Sequence, residues 1–586
     1  MPAYQLHIAK PQEIQKEEQR RHELKEELDC CTNVNGALRN KIYPFLVNAG
    51  VEHLAEIDYS IRQQYKTYVR RNFLEKKWET MLNTLDRIKQ SAMWEAQKTL
   101  AGKRKYTLRY EKALVFLKYL PDREIAEKYT FSREEDCLVW DFRIPGSEQM
   151  KQQIFRALCS ISKEKEDSEE RKILLSGLKY LYQFCIKTEI TDIEKISLLE
   201  KQKFKEFISQ SGNSEKYQKR MYGAVEWLQR HEFLAAKEIH WYTDIWYLER
   251  IHIAKARINE SNPASRLIFE DVKNAKNREL LKEYIKYLLA VSDLSVSNIR
   301  NKNMYIRNFM EVLDEQEIAA AELTKNIFEI YTGRLFEKRL KPKSFNAELL
   351  AVIQFYNFLL VRGEIAHIPF RPNDYLQKEF DVHHDRCVEE TVSREIIRKL
   401  RYFPEHLRLM YLHLWGIGLR ASEVCTLKGN AYEWDGRDAW IQLWQPKMRR
   451  YKRVPIPEIL YRLMMVYIKK YDIEAEDYLF PNTNGGAFRY GTLRSQMLQC
   501  CKENQISGGA YVFQSHDYRH NVATEFYDSG VPLSSVRDYH GHTYDEMTLQ
   551  YIDHMPVRVE EASETVFKNQ ENNLASELLK EARHKD

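Results

Sequence analysis

The sequence predicts a mainly α chain: tandem helical modules, followed by a smaller α+β domain with a small antiparallel β-sheet. Three observations predict it. Apolar residues recur at spacings of three and four, with charged residues in the gaps, over most of the 586 residues; this is the period of amphipathic helices. A weak internal repeat runs through the first 370 residues. Beyond residue 390 the texture changes to apolar helices broken by glycine and to a strand, a basic turn and a second strand.

The bulk numbers bound the class. A chain of this length has room for about four domains. Hydrophobic residues are 43% and charged residues 30%, as in an ordinary globular protein. The 91 basic and 86 acidic residues leave a net charge of +5, too balanced to prove nucleic-acid binding, so the location of the charge must decide. Nine cysteines include the doublets Cys30/Cys31 and Cys500/Cys501 but no C-x-x-C pair. That pattern fits a reducing cytosol and argues against a disulfide scaffold or a cysteine-rich zinc module. The N-terminal stretch has no apolar core with a cleavage site, and no apolar run approaches the roughly 20 residues of a membrane span. The expectation is a cytoplasmic protein that works without a membrane.

Residues 10–28 read as a highly charged helix with a solvated face. The repeat then appears in residues 37–71 and 178–210, with a longer version at 281–313. The first two share one grammar: an apolar helix, a short turn with isoleucine or valine, an acidic cap, and a helix with paired aromatics. This gives helical modules at 1–118, 166–270 and 271–372. One continuous helical array is the alternative. Residues 119–165, with mixed charge and a Pro-Gly turn, suit a linker or a small strand pair. Residues 373–388 have few aliphatics and read as the interdomain linker. A last domain follows at 389–566, and 567–586 is a tail in which residues 571–585 suit an amphipathic helix.

Five features of the last domain combine. Arg420 follows the Gly-Ile-Gly-Leu break in GIGLRASEV, near a helix start, where its guanidinium and the helix amides can face one anion. The stretch KMRRYKR (447–453) packs five basic residues into seven between strand-like flanks; such a ribbon can meet a nucleic-acid backbone, or simply be a solvated hairpin. His516 and Arg519 stand three apart on one helix face. Two cationic groups there make a poor structural pair and a good anion site. His542 follows Gly541, and no further ligands lie at metal spacing, so no metal is expected. Tyr551, nine residues on, reads by periodicity alone as a half-buried aromatic.

Taken together they form a chemical set. Phosphoryl transfer through a tyrosine needs a nucleophile, cations for the nonbridging oxygens and an acid for the leaving oxygen. Two bidentate arginines suit a phosphodiester, and a lysine or histidine can protonate the departing oxygen. Nothing here resembles a Walker loop or a carboxylate–metal cluster, so no cofactor is implied.

At these residues the sequence resembles the tyrosine recombinase (phage integrase) family, over the C-terminal 180 or so residues. Residues 275–370 are similar to the family's SAM-like core-binding domain. GLRASEV resembles the first arginine motif, with Arg420 and Glu423. Lys447 stands eight before Pro455, the family's spacing for its hairpin lysine, and is preferred to Lys452. SHDYRHNVAT resembles the H-x-L-R-H-T-x-A-T box, with Tyr518 in place of leucine. HGHTYDEMTLQY resembles the L-G-H box and its tyrosine, with His540 in place of leucine. The resemblance implies that Tyr551 is the nucleophile, giving a 3′-phosphotyrosyl link and a free 5′-hydroxyl. Arg420 and Arg519 would clamp the phosphate, Lys447 would be the general acid, His516 would assist proton transfer, His542 would hydrogen-bond the phosphate, and Glu423 would support Arg420. Arg449, Arg450, Lys452 and Arg453 are DNA-contact candidates. The implied partner is double-stranded DNA, bound by a homo-tetramer or beside a companion recombinase, on the nucleoid of a bacterium, with the tail docking on a neighbouring subunit.

The extra N-terminal modules make the chain similar to large transposase-type recombinases of mobile elements. The competing readings are a type IB topoisomerase, which would relax DNA without a defined site, and a non-catalytic DNA-binding accessory protein, whose activity Tyr551→Phe would leave unchanged.

Overall fold

The computed structural model describes residues 11–106, 113–129, 136–164, 167–379 and 386–552. The expected tail helix lies outside them. The chain divides into two compact units, residues 1–250 and 251–586. The fold is mainly helical with small antiparallel sheets, as expected.

The first unit begins with α1 (Pro11–Cys30), α2 (Gly36–Asn48), α3 (Tyr59–Asn72) and α4 (Trp78–Ala96). α1 keeps the expected solvated face, and among its described side chains only Leu24 and Leu28, one turn apart, are buried. The core also holds a buried ion cluster. Asp86, 1% exposed, accepts Arg62 Nε at 2.6 Å and the Tyr119 hydroxyl at 2.7 Å on one oxygen, and Arg62 Nη2 at 3.1 Å on the other. The Lys118 ammonium lies 3.7 Å away, also buried. Breaking a buried pair strands the remaining charge at a cost of about 3–5 kcal/mol. Asp86→Ala is therefore expected to destabilise this unit by that amount. The check is hydrogen exchange of the full chain, in which the amides of α3 and α4 should lose protection; unchanged protection there would refute it.

The stretch read as a linker or a small strand pair takes part in a strand pair and also holds a helix. β1 (Leu114–Phe116) pairs antiparallel with β2 (Val139–Asp141), and α5 (Glu148–Glu164) buries Met150, Ile154, Ala157, Leu158 and Ile161. Those positions follow the helical period. α6 (Ser168–Lys187), α7 (Leu198–Ser209) and α8 (Glu215–Ala235) complete the second module. α6 and α8 pack closely because Gly177 has no side chain; a Cβ there would lie 2.4 Å from the Met221 carbonyl oxygen.

The second unit opens with a segment that grips two parts of its own unit. Arg257 donates to the carbonyls of Leu288, Leu289 and Leu294 at the end of α9 (Ala275–Val291). A few residues on, Glu260 accepts the Tyr478 hydroxyl at 2.9 Å, and the Ser261 carbonyl accepts the Tyr490 amide at 3.0 Å. With α10 (Val296–Glu315), α11 (Lys325–Glu337) and α12 (Pro342–Val361), α9 forms a helical module. α12 is long and apolar enough to cross a bilayer, which the sequence reading did not register. It is the core helix of this module, burying Phe345, Leu349, Val352, Phe355, Tyr356 and Leu359.

Residues 386–552 build the last domain from α13 (Glu390–Lys399), α14 (Glu405–Ile417), α15 (Ala421–Cys425), β3 (Tyr432–Trp434), β4 (Ala439–Gln445), β5 (Arg450–Ile456), α16 (Glu458–Lys470), α17 (Tyr490–Glu503), α18 (Asp517–Asp528), α19 (Leu533–His540) and α20 (Asp545–Leu549). The sheet order is β3-β4-β5, antiparallel, with Gln445 opposite Arg450. The turn is shorter than the basic run: only residues 446–449 turn, and Arg450 to Arg453 already belong to β5.

Candidate active site

Two left-handed glycines aim the site. Gly418 (φ 61°) ends α14 and Gly541 (φ 66°) ends α19. That conformation is costly for any residue with a Cβ. After Gly418 the chain turns into α15 with Arg420 at its N-cap. After Gly541 it turns to present His542.

Glu423, 1% exposed, is the anchor on the Arg420 side. One carboxylate oxygen accepts the Arg420 amide at 2.9 Å; the other accepts Arg420 Nη1 at 3.0 Å and Gln445 Nε2 at 2.9 Å. Burial alone would raise its pKa. The charges of Lys452, Arg519 and Arg420 outweigh that and hold it at about 2. Arg420 keeps a second guanidinium nitrogen buried without a hydrogen-bond partner.

Arg519 on α18 is fully buried. It donates to the Gly418 carbonyl at 2.9 Å and to the His540 carbonyl at 2.6 Å. Its Nη2 also stands 2.9 Å from His542 Nε2. An arginine can only donate, so His542 Nε2 accepts and the ring proton sits on Nδ1, 3.0 Å from the Thr548 hydroxyl. Burial, then Arg519 and Arg420, push the His542 pKa down to about 2, and His542 is neutral.

Tyr551, half-buried just after α20, lies inside this frame. Its ring centroid is 4.8 Å from that of His542, 5.0 Å from His516 and 4.9 Å from His520. The Arg519 guanidinium carbon is 5.4 Å from the same ring. Burial, then His520 and Arg519, hold His516 down to about 4. One nucleophile candidate, two arginines and two neutral histidines therefore converge.

The basic hairpin divides. Arg450 is exposed; Arg453 pairs with Glu433 at 2.9 Å and covers the Trp440 ring; Arg449 pairs with Asp293. Lys452 departs from the expected row of surface contacts. It is 6% exposed, because it shares strand parity with the buried Val454 and Ile456. Its ammonium is buried without a hydrogen-bond partner. Burial first, then Arg519 and Arg420 against Glu423, bring its pKa down to about 7. Lys447 is exposed on the turn, yet burial of its ammonium, then Arg420, Lys343 and Arg519, lower its pKa as well. Both lysines feel the same arginines.

The two departures from the family pattern are accommodated differently. Tyr518 is buried with its hydroxyl 2.9 Å from that of Tyr511. His540 is fully buried and neither ring nitrogen has a partner. Sequence reasoning missed Gln445, His520 and Thr548. Gln445 was findable, because it falls on the inward parity of Ala439, Ile441 and Leu443. His520 was findable too, because it stands at the second histidine of the box that SHDYRHNVAT resembles; Thr548 carried no such signal.

The neutral histidines set a pH dependence. His516 and His542 have folded pKa values below the ordinary value of 6.5, and so does His413, at about 4. The unfolded chain then binds more protons below 6.5, so stability is full above that pH and falls as pH drops toward 4. Glu423 adds to the loss only below about 4.5. A falling melting temperature from pH 6.5 to 5 is expected; a flat profile over that range would rule this out.

Residues 386–557 match the family model described as Phage integrase family. Transposase B from transposon Tn554 of Staphylococcus aureus is 28% identical over 320 residues, covering 53% of this chain and 51% of the relative. The chain thus spans about half the length of the transposase relatives it matches. Tyrosine recombinase XerA of Thermococcus onnurineus is 23% identical over 285 residues, 47% of this chain and 93% of that protein. Among solved structures, the Tn1549 transposon integrase in complex with transposon right end DNA covers 48% of this chain at 16% identity, with a TM-score of 0.37.

Proposed function

We propose, from the premise that residues 386–557 are a phage integrase family domain, that the chain is a tyrosine-type site-specific DNA recombinase of a mobile element. One observation carries the reading: the Tyr551 ring is packed against His516 and His542 with the Arg519 guanidinium alongside. A core tyrosine would use only the ring contacts and the cation–π contact of that company. A nucleophile at a phosphodiester gains all of it.

The Tyr551 hydroxyl oxygen attacks the scissile phosphorus, its proton leaves, the P–O5′ bond breaks and a proton is delivered to the departing 5′ oxygen. Arg420 and Arg519 neutralise the nonbridging oxygens. Glu423 fixes Arg420 by its two contacts. His542, expected on the phosphate, has both ring nitrogens engaged, by Arg519 and Thr548, and acts instead by orienting the Arg519 guanidinium. His516, neutral and beside the Tyr551 ring, assists the tyrosyl proton's departure. Lys447 is the acid on the turn, and Lys452, buried, opposes the charge of Glu423 and helps keep that carboxylate ionised. The free 5′-hydroxyl of a partner strand reverses the step on a new end, so the bond energy is kept and no nucleotide is consumed. Double-stranded DNA is the substrate. A tetramer, or an assembly with a companion recombinase, would bring two duplexes together, and residues 1–250 would read further DNA or hold a partner protein.

The test is covalent trapping in cells that carry the element. Denatured protein is recovered with its linked DNA and the ends are sequenced. Adducts at defined ends support the reading, scattered adducts point to a relaxing enzyme, and none at all refutes cleavage by this chain.

A further inference from the structure

β4 carries an anomaly at its end. Its inward positions are Ala439, Ile441, Leu443 and then Gln445, which is fully buried. A glutamine in a core position must place a donor pair and an acceptor. Its Nε2 donates to Glu423 at 2.9 Å and reaches the His540 carbonyl at 3.4 Å, while its Oε1 has no partner. An unpaired buried acceptor is costly, and an apolar residue would continue the strand's own pattern without that cost. The neighbours are also shaped for the amide. A Cβ on Gly541 would lie 2.4 Å from Gln445 Oε1 and 2.7 Å from Nε2.

The two acceptors belong to opposite halves of the site. Glu423 holds Arg420. The His540 carbonyl holds Arg519 Nη2. One amide group therefore touches what fixes each arginine. The backbone of the same residue closes the lysine turn, its carbonyl accepting the amides of Met448 at 3.2 Å and Arg449 at 2.8 Å.

We infer that Gln445 is a positioning residue for strand cleavage: its side-chain amide sets the register between the Arg420 and Arg519 guanidinia and ties that register to the turn bearing Lys447. It touches no substrate. It acts by fixing the spacing of two groups that must meet two oxygens of one phosphate, where small misplacement is expensive. The inference rests on the recombinase reading above.

The experiment is single-turnover cleavage of a nicked suicide duplex carrying the end sequence recovered by trapping, using the full chain. Gln445→Met keeps length and shape but donates nothing. It is expected to bind the duplex with affinity within about twofold of wild type and to cleave about 10–100-fold more slowly. Replacing either nonbridging oxygen by sulfur separates positioning from general weakening. Wild type should discriminate between the two phosphorothioate diastereomers, and Gln445→Met should lose most of that discrimination. Gln445→Glu supplies a second route. Ionised, its carboxylate repels Glu423; protonated, it regains a donor, so its rate should recover as pH falls from 8 to 6 while that of Gln445→Met does not. Wild-type cleavage rates in both variants, or loss of affinity and rate by the same factor, would overturn the inference. No adduct from wild type would instead overturn the recombinase reading itself.

Discussion

Tyr551→Phe is expected to abolish the covalent DNA adduct while leaving the fold and DNA affinity in place. The substitution removes one oxygen from a half-buried ring. The ring's contacts with His516, His520 and His542, all near 5 Å between centroids, survive it. Packing is therefore conserved, and the loss is that of the hydroxyl's hydrogen bond with Arg519, for which about 1 kcal/mol is expected. Among the described residues no other tyrosine ring packs against His516 and His542, so cleavage should fall by on the order of 10⁴ or more, as when a nucleophile is removed from a preorganised site. The measurement pairs a suicide-substrate cleavage assay with a binding titration on the same DNA. Residual cleavage at a tenth of the wild-type rate would show that another group attacks.

Arg519→Ala carries the largest combined effect, because this one side chain serves both structure and chemistry. It is fully buried and satisfies two backbone carbonyls, that of the left-handed Gly418 and that of His540, which precedes the left-handed Gly541. It also opposes the buried charge of Glu423 and orients His542. Its loss strands two carbonyls and removes a counter-charge, for which about 3–5 kcal/mol of destabilisation is expected. Cleavage should drop by about 10²–10³ beyond any loss of folded protein. Arg519→Lys keeps the charge but cannot span three acceptors, so it should recover part of the stability and little of the rate. Chemical denaturation and cleavage measured at a temperature where each variant is folded separate the two losses. A fully stable Arg519→Ala would mean that the carbonyls find other partners.

Much of this site was legible because its parts are local. Arg420 and Glu423, His516 and Arg519, and His542 and Tyr551 each sit within one helical turn or one short turn-and-helix, where spacing reports geometry directly. The order of those pieces along the chain supplied the rest. What was illegible depended on pairing between distant segments. Lys452 lay hidden in a run of basic residues whose shared charge masked the strand parity that turns it inward. The three residues of β3 are too few to show a period. α5 was lost in a region whose flanking turns resemble a linker. The Asp86 cluster joins residues from three elements, and no window of sequence contains it.

The segment holding Arg257, Glu260 and Ser261 has a mechanical consequence. The helical module of α9 to α12 is joined to the last domain by the chain that follows α12 and, a second time, through this segment, which grips the end of α9 with Arg257 and meets Tyr478 and Tyr490 at Glu260 and Ser261. A body on one tether swings through a cone. Here module and domain are held at several points besides the covalent connection, by Glu260 with Tyr478, Ser261 with Tyr490 and Arg449 with Asp293, and moving one against the other must first break those contacts. Residues 251–262 are thus a clasp as well as a connector, closing the module onto the domain from the side opposite in sequence to the linker.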